Sequence, residues 1–476
     1  MNTEHSTQAV AGRQLVRSLQ GRHMTMISIG GAVGAGLFVG SGVGIQQAGP
    51  GILISYGLTS VLVVLVMRML AEMAVARPDS GAFAVYARLA FGRWAGFATG
   101  WMYWLGWPLG LAIEGIATGT ILHSWLPVIP VWLGGVLLIA VITAVNLTSV
   151  RAYGEVEYWA VWLKVAVIVA FIAVGLIAIG GLVPGTQAPG TSNLLGHGGF
   201  LPQGIGGVVT ASVGAMFAFS GTEIVTIAAG EAADPAKAIR RSTRSILWRI
   251  CLFYFGSLLV VVLLLPWNSA AVGESPFAAT LQHLGLSNAS TVLSVVIFAA
   301  MISTMNSQVY VSSRIMYSLA RDSAAPRILG RISRTGTPRN AILLAVSLAV
   351  LLLLLQFFHP STAFSRLLGV AGATVYLIWL TIVVTQLVLG RRDRLDGRPP
   401  APGTGMWLFP ALSWFTLAAM LALLGFMLTL PAVRTDMLGA LVLMLLLVAA
   451  AVIWARLHPA RNEAEAVVAE PDTALA

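Results

Sequence analysis

The sequence predicts an all-α integral membrane protein with twelve transmembrane helices, and three observations carry that fold class. Charged residues are 10% of the 476 and hydrophobic ones 57%, with a mean hydropathy of +0.86, which excludes an ordinary soluble core. Twelve apolar stretches each reach the length of about 20 residues that a helix needs to cross a bilayer. The basic residues fall in alternate connections between those stretches.

The stretches cover about 24–47, 51–76, 96–122, 128–150, 155–182, 206–232, 244–267, 287–320, 338–358, 362–390, 405–430 and 435–457. Arg13, Arg17 and Arg22 precede the first; Arg68, Arg77, Arg88 and Arg93 flank the connection from second to third; Arg151 lies between fourth and fifth. Lys237 to Arg249 follow the sixth, Arg314 to Arg339 the eighth, Arg391 to Arg398 the tenth, and Arg456 and Arg461 the twelfth. The intervening connections hold only Arg366 and Arg434, so both termini are expected in the cytoplasm. This distribution also turns the net charge of +10 away from nucleic acid and toward membrane topology. No cleavable signal peptide is expected, because the polar residues before Met24 lead into a full-length span. The expected organisation is a cytoplasmic segment 1–23, five spans in 24–182, five in 206–390, two in 405–457, and a polar, disordered tail 458–476. Cys251, the only cysteine, sits inside the seventh span, and His123, His283 and His359 show no ligand spacing. No metal site or cofactor is predicted.

Lys164 is the most informative residue. It lies in YWAVWLKVAVIVAFIAVGLIAIG with no other charge between Glu157 and the far end of the span. Its Cα is roughly 10 Å along the helix from Glu157, so snorkelling relieves it only in part. An ammonium at that depth costs several kcal/mol and faces a protein interior or a wet cavity.

Glycines and polar residues mark two other spans. Span one, MISIGGAVGAGLFVGSGVG, places Gly30, Gly31, Gly34 and Gly36 within seven residues. No strand precedes them and no Lys-Ser/Thr follows, so a phosphate loop is disfavoured. Close helix packing through small residues and a helix broken at mid-membrane are the competing readings. Span six, GAMFAFSGTEIVTIAAGEAADP, has Ser220, Gly221, Thr222 and the acid Glu223 at its middle. The two spans lie five helices apart and enter from opposite sides, which favours paired breaks in an inverted repeat. One broken end offers amides to a carboxylate, and the freed carbonyls offer acceptors to an ammonium.

The stretches RHMTMISIGGAVGAGLFVGSG, QAGPGILISY, VMRMLAEMAVARPDSGAFAVYA, GRWAGFATGWMYW, FSGTEIVTIAAGEAADPAKAI and NSQVYVSSRIMYSLARD resemble the amino acid permeases of the amino acid, polyamine and organocation superfamily. Within it, MRMLAEMAVA, EIVTIAA and VVVLLLPWN are most similar to bacterial gamma-aminobutyrate permeases. The resemblance implies a LeuT-type fold of five plus five inverted helices with two added, and proton-driven amino acid uptake across the bacterial inner membrane. It implies that Ile29, Gly30, Gly31, Val33, Gly34, Ala35 and Gly36 form an unwound loop holding the substrate carboxylate through backbone amides. The matching segment of span six, with Phe217, Ala218, Ser220, Gly221 and Thr222, would take the amino group, with Phe217 closing over it. Lys164 falls on the family's lysine, whose ammonium can replace a sodium ion between helices one, five and eight and titrate. The competing reading is a permanent cross-brace.

Glu114, with no charged neighbour within ten residues, is read either as a ligand for the substrate amine and a proton relay or as a neutral tie between helices. Glu223 resembles the family's gate acid, against a structural hydrogen bond. Glu72, four residues after Arg68, is expected to pair with it. Glu231 is expected to anchor the basic loop. Trp101, Trp104 and Trp107 form one stripe, read as packing or lipid contact, with Tyr103 beside it as a gate candidate. Ser303, Thr304, Asn306 and Ser307 are expected to face helices one and five. The resulting function is proton-coupled uptake of gamma-aminobutyrate or another small neutral amino acid, by a monomer or weak homo-oligomer. The alternatives are an exchanger, a sodium symporter, or a permease for aromatic, proline, D- or basic amino acids. A channel, a receptor and an enzyme are disfavoured, because the polar residues concentrate at mid-depth, neither terminus holds a sizeable domain, and no nucleophile and base share a motif.

Overall fold

The computed structural model describes residues 33–79, 82–148, 150–183, 188–224, 250–273, 275–333, 336–401 and 403–458. Regular structure among the described residues is entirely helical. In order the helices are α1 (Ala35–Phe38), α2 (Gly40–Ala48), α3 (Ile52–Ala76), α4 (Ala82–Phe91), α5 (Arg93–Trp125), α6 (Val131–Thr148), α7 (Val150–Ile179), α8 (Ser192–Leu195) and α9 (Gly204–Ala218). They continue as α10 (Ser257–Leu264), α11 (Pro276–His283), α12 (Ser287–Arg321), α13 (Arg339–Leu353), α14 (Leu355–Phe358), α15 (Ala363–Leu395), α16 (Ala411–Thr429) and α17 (Pro431–Leu457). A π-helical segment, Ile250–Gly256, leads into α10.

Eight stretches among the described residues are long and apolar enough to cross a membrane; the first of them, Ala35–Ala76, includes both α1–α2 and α3, separated by the turn Gly49–Gly51. Val131–Leu147, Gly204–Ala218 and Leu252–Leu264 are shorter apolar helices. Every predicted stretch thus contains a helix, and the chain is a multi-pass membrane protein.

Helix α5 is the axis of the packing, touching α4, α6, α12, α13, α15 and α17. Small residues permit this. A Cβ on Gly119 would lie 2.3 Å from the Val131 carbonyl oxygen, and one on Gly135 would lie 2.5 Å from that of Gly115, so α5 and α6 meet backbone to backbone.

Spans one and six both carry non-helical backbone among the described residues. Val33 and Gly34 are not helical, Gly34 is extended at φ −149°, and the helix that starts at Ala35 breaks at Val39. Helix α9 stops at Ala218 and the chain turns through 219–223, with Gly221 at φ +93°, a conformation that glycine adopts without a steric penalty. Ile29, Gly30, Gly31 and Glu231 lie outside the described residues.

The ends of α3 and α15 are tied together, and here one expectation is corrected. Glu72 does not pair with Arg68. Its carboxylate receives Arg394 Nη1 at 3.0 Å, Gln386 Nε2 at 3.0 Å and the Met406 N–H at 2.7 Å. Arg68 donates instead to the Gly403 and Gly405 carbonyls, each at 3.1 Å, and lies over Trp407. The buried Glu72 faces α15, whereas the half-buried Arg68 reaches the connection before α16, which covers it. Arg77 and Asp393 add an ion pair nearby.

Candidate functional site

Helices α5, α7 and α12 converge on the break in span one. A Cβ on Gly34 would fall 2.2 Å from Glu114 Oε1 and 2.9 Å from Thr304 Cγ2, so α5 and α12 close on the backbone only because this residue has no side chain. Glu114 is 1% exposed. Its Oε1 accepts the Ala35 N–H at 2.8 Å, and its Oε2 has no hydrogen-bond partner among the described residues. One of the amides assigned to a substrate carboxylate therefore already holds a carboxylate, that of a side chain.

Lys164, 1% exposed, donates from Nζ to Thr304 Oγ1 at 3.0 Å, and the Thr304 hydroxyl lies 3.0 Å from the Val33 carbonyl oxygen. One hydroxyl thus links the ammonium to the interrupted backbone. The lysine is not alone in the span. Glu157, fully buried, places Oε1 4.0 Å from Nζ, and Ser303 Oγ donates to its Oε2 at 2.6 Å. The sequence marked Glu157 as the edge of an apolar run. Seven residues are two helical turns, however, so residues 157 and 164 share a face, and that spacing was the available signal. Neighbouring residues Ser303 and Thr304 serve the two ends of this pair. Asn306 turns elsewhere, accepting from Asn146 Nδ2 of α6 at 2.6 Å.

Spans one and six meet at their backbones, since a Cβ on Gly36 would lie 2.7 Å from Ala218 Cα. Four carbonyls at the break in span six already accept hydrogen bonds. Phe217 O receives the Ser220 N–H, Ala218 O the Tyr254 hydroxyl at 2.8 Å, Phe219 O the Thr222 hydroxyl at 3.1 Å, and Gly221 O the Ile224 N–H. Glu223, 4% exposed, closes the turn by accepting the Gly221 N–H at 3.0 Å.

Beside this turn is a cavity lined by Tyr103, Trp107, Phe217, Ser220, Glu223 and Gln308, among others. Trp107 and Tyr103 meet edge to face at 5.5 Å, while Trp101 donates to the Ala324 carbonyl and packs against Trp104. Of the predicted stripe, Trp107 alone therefore borders the cavity. Gln308 was not singled out from sequence. It follows Thr304 by four residues, and hence shares its face of α12.

The sequence profile of the family described as amino acid permease matches residues 23–463. The chain is 42% identical to the gamma-aminobutyric acid permease of Bacillus subtilis over 89% of its own length and 90% of that protein's. It is 41% identical to the gamma-aminobutyric acid permease of Escherichia coli K12, covering 90% and 91%. It is 38% identical to the aromatic amino acid transport protein AroP of Corynebacterium glutamicum, covering 88% and 91%. Among solved structures, a manganese transporter of Eremococcus coleocola in complex with an aromatic bis-isothiourea compound superposes with a TM-score of 0.57 at 15% identity, covering 92% of this chain and 94% of that one. That likeness concerns the fold alone. The chain belongs to the amino acid permease family, and it is a transporter of amino acids rather than an enzyme.

Proposed function

We propose that this permease takes up gamma-aminobutyrate or another small neutral amino acid by proton-coupled alternating access across the bacterial cytoplasmic membrane, with both termini inside. The substrate reading is supported by two relatives above 40% identity over nine-tenths of their length that are named for gamma-aminobutyrate. The architecture we assign is five plus five inverted helices, in 24–182 and 206–390, with two added in 405–457. The paired interruptions at Gly34 and Gly221 support it. The protein functions as a monomer or a weak homo-oligomer.

One observation carries the mechanism: Lys164 Nζ reaches the interrupted backbone of span one through Thr304. A lysine there supplies, within the protein, the positive charge that a bound sodium ion would bring, and it can release a proton. Glu157 balances that charge when the proton is present. At the other side of Gly34, Glu114 holds the Ala35 amide, and the substrate carboxylate takes its place on binding. Loading therefore displaces one buried carboxylate by another, and Glu114 becomes available to exchange a proton with the Lys164 region. Phe217, Tyr103 and Glu223 gate the cavity beneath.

Uptake into proteoliposomes by the purified protein tests this, using a panel of radiolabelled amino acids with imposed proton or sodium gradients. Gamma-aminobutyrate accumulation driven by an inward proton gradient is expected. Accumulation driven only by sodium would overturn the coupling reading. A preference for phenylalanine or tyrosine would move the substrate toward the aromatic class for which the Corynebacterium relative is named.

A further inference from the structure

Buried polar atoms are almost always hydrogen-bonded, so those that are not mark a place where something else is expected. Gln308 Oε1 is buried without a hydrogen-bond partner among the described residues, and Gln308 lines the cavity beside the break in span six together with Tyr103 and Trp107. Four backbone carbonyls of that break, those of Phe217, Ala218, Phe219 and Gly221, are by contrast already engaged. Gln308 Oε1 is an unfilled side-chain acceptor on α12 that borders the cavity.

Its position relative to the carboxylate site follows from two helices independently. On α12, Thr304 is bonded to Val33 at the break in span one, and Gln308 is four residues further, about 6 Å along the axis. On α5, Glu114 is bonded to Ala35, and Gly110 is four residues away, again about 6 Å. The two lower positions face each other, since a Cβ on Gly110 would lie 3.0 Å from Gln308 Nε2 and 3.6 Å from the Phe217 ring. The site is thus built in two layers: Gly34, Glu114 and Thr304 above, Gly110, Gln308 and Phe217 one helical turn below.

An amino group on the carbon next to a carboxylate lies only about 2.5 Å from the carboxyl carbon, whereas three intervening methylenes place it about 5 Å away in the extended form. Only the second reaches the lower layer when the carboxylate occupies the upper one. We propose that Gln308, with space made by Gly110, reads the distal ammonium of an ω-amino acid one helical turn from the carboxylate site. Its amide oxygen accepts one N–H, Tyr103 Oη offers a second acceptor, and Glu223 in the same cavity supplies the opposing charge. Trp107 is donor only and serves as a wall. This inference rests on the gamma-aminobutyrate reading above and adds which residue makes that choice.

The test is displacement binding to the detergent-purified full chain, comparing gamma-aminobutyrate with its isomer α-aminobutyrate. Wild type is expected to favour gamma-aminobutyrate. Gln308→Met, which keeps length and loses the acceptor, is expected to reduce that preference about tenfold or more, the effect of losing one charge-assisted hydrogen bond. A variant that weakens both isomers equally, or neither, overturns the role of Gln308 while leaving the substrate reading intact. A wild-type preference for α-aminobutyrate overturns the substrate reading and this inference with it. Should Gln308→Met not fold, Gly110→Ala decides, because its methyl presses on the Gln308 amide: a selective loss of gamma-aminobutyrate supports the inference, and an unselective or absent effect overturns it.

Discussion

Glu72 and Glu114 are both carboxylates buried in apolar helices, yet they are satisfied to different degrees. Glu72 is held by a guanidinium, an amide and a backbone N–H drawn from α15 and the connection before α16. Glu114 has one backbone N–H on one oxygen and no hydrogen-bond partner on the other among the described residues. A carboxylate whose acceptor sites are filled by fixed groups behaves as a rivet, since every partner would be stranded by its removal. One that is half-filled beside interrupted backbone can change partner at small cost. Depth alone does not separate the two; the number and origin of their partners do.

The largest expected effect on substrate binding falls on the Glu114 side. Gly34→Val puts a side chain where Glu114 Oε1 and Thr304 now lie, and substrate binding should fall by about 100-fold or more, or roughly 2.7 kcal/mol. Membrane insertion should persist. Displacement binding measures this, and retained affinity would remove the backbone of span one from the site. Next is Glu72→Ala, which strands the Arg394 guanidinium and the Gln386 amide. It should destabilise the protein by about 3 kcal/mol, the low end for breaking a buried pair because Arg394 keeps some access to water. A lower thermal midpoint in detergent, with substrate affinity preserved at low temperature, is the expected pattern.

Glu114→Gln sharpens the contrast. The amide oxygen can still accept the Ala35 N–H, so stability should change by no more than about 1 kcal/mol. Proton-driven uptake should nevertheless fall about tenfold, roughly 1.4 kcal/mol, if this residue exchanges a proton during the cycle. Full uptake by the Gln variant would make Glu114 a neutral tie between α5 and span one. The smallest effect belongs to Arg68→Ala, which loses contact with Trp407 and two loop carbonyls at a half-exposed position, about 1 kcal/mol of stability with no change in transport.

Much of this was legible in the sequence because it depends on local chemistry. The non-helical backbone at Gly34 and through 219–223 follows from glycine and polar residues at mid-span, and the depth of Lys164 follows from counting helical rise. What escaped was contact between distant parts of the chain. Glu72 sits four residues from Arg68, but its guanidinium comes from Arg394, more than three hundred residues later, and no local spacing announces that. Glu157 was within reach, since seven residues bring it onto the face of Lys164, yet its place near the start of the span made it look like a boundary. Gln308 is a single polar residue on a helix rich in them. Its distinction is an Oε1 without a hydrogen-bond partner among the described residues, which exists only once α5 and α12 are packed.

The central claim is that Lys164 titrates during transport rather than serving as a brace, and the Arg variant separates the two. A guanidinium keeps the charge beside Glu157 and Thr304 but stays protonated at every accessible pH. In proteoliposomes, Lys164→Arg and Lys164→Ala should both lose the acceleration of gamma-aminobutyrate uptake by an inward proton gradient. Exchange of internal for external substrate should survive, because exchange does not require return of the empty carrier. Proton-driven accumulation by Lys164→Arg at close to the wild-type rate would contradict the account, make Lys164 a brace, and shift coupling to Glu114 or Glu223.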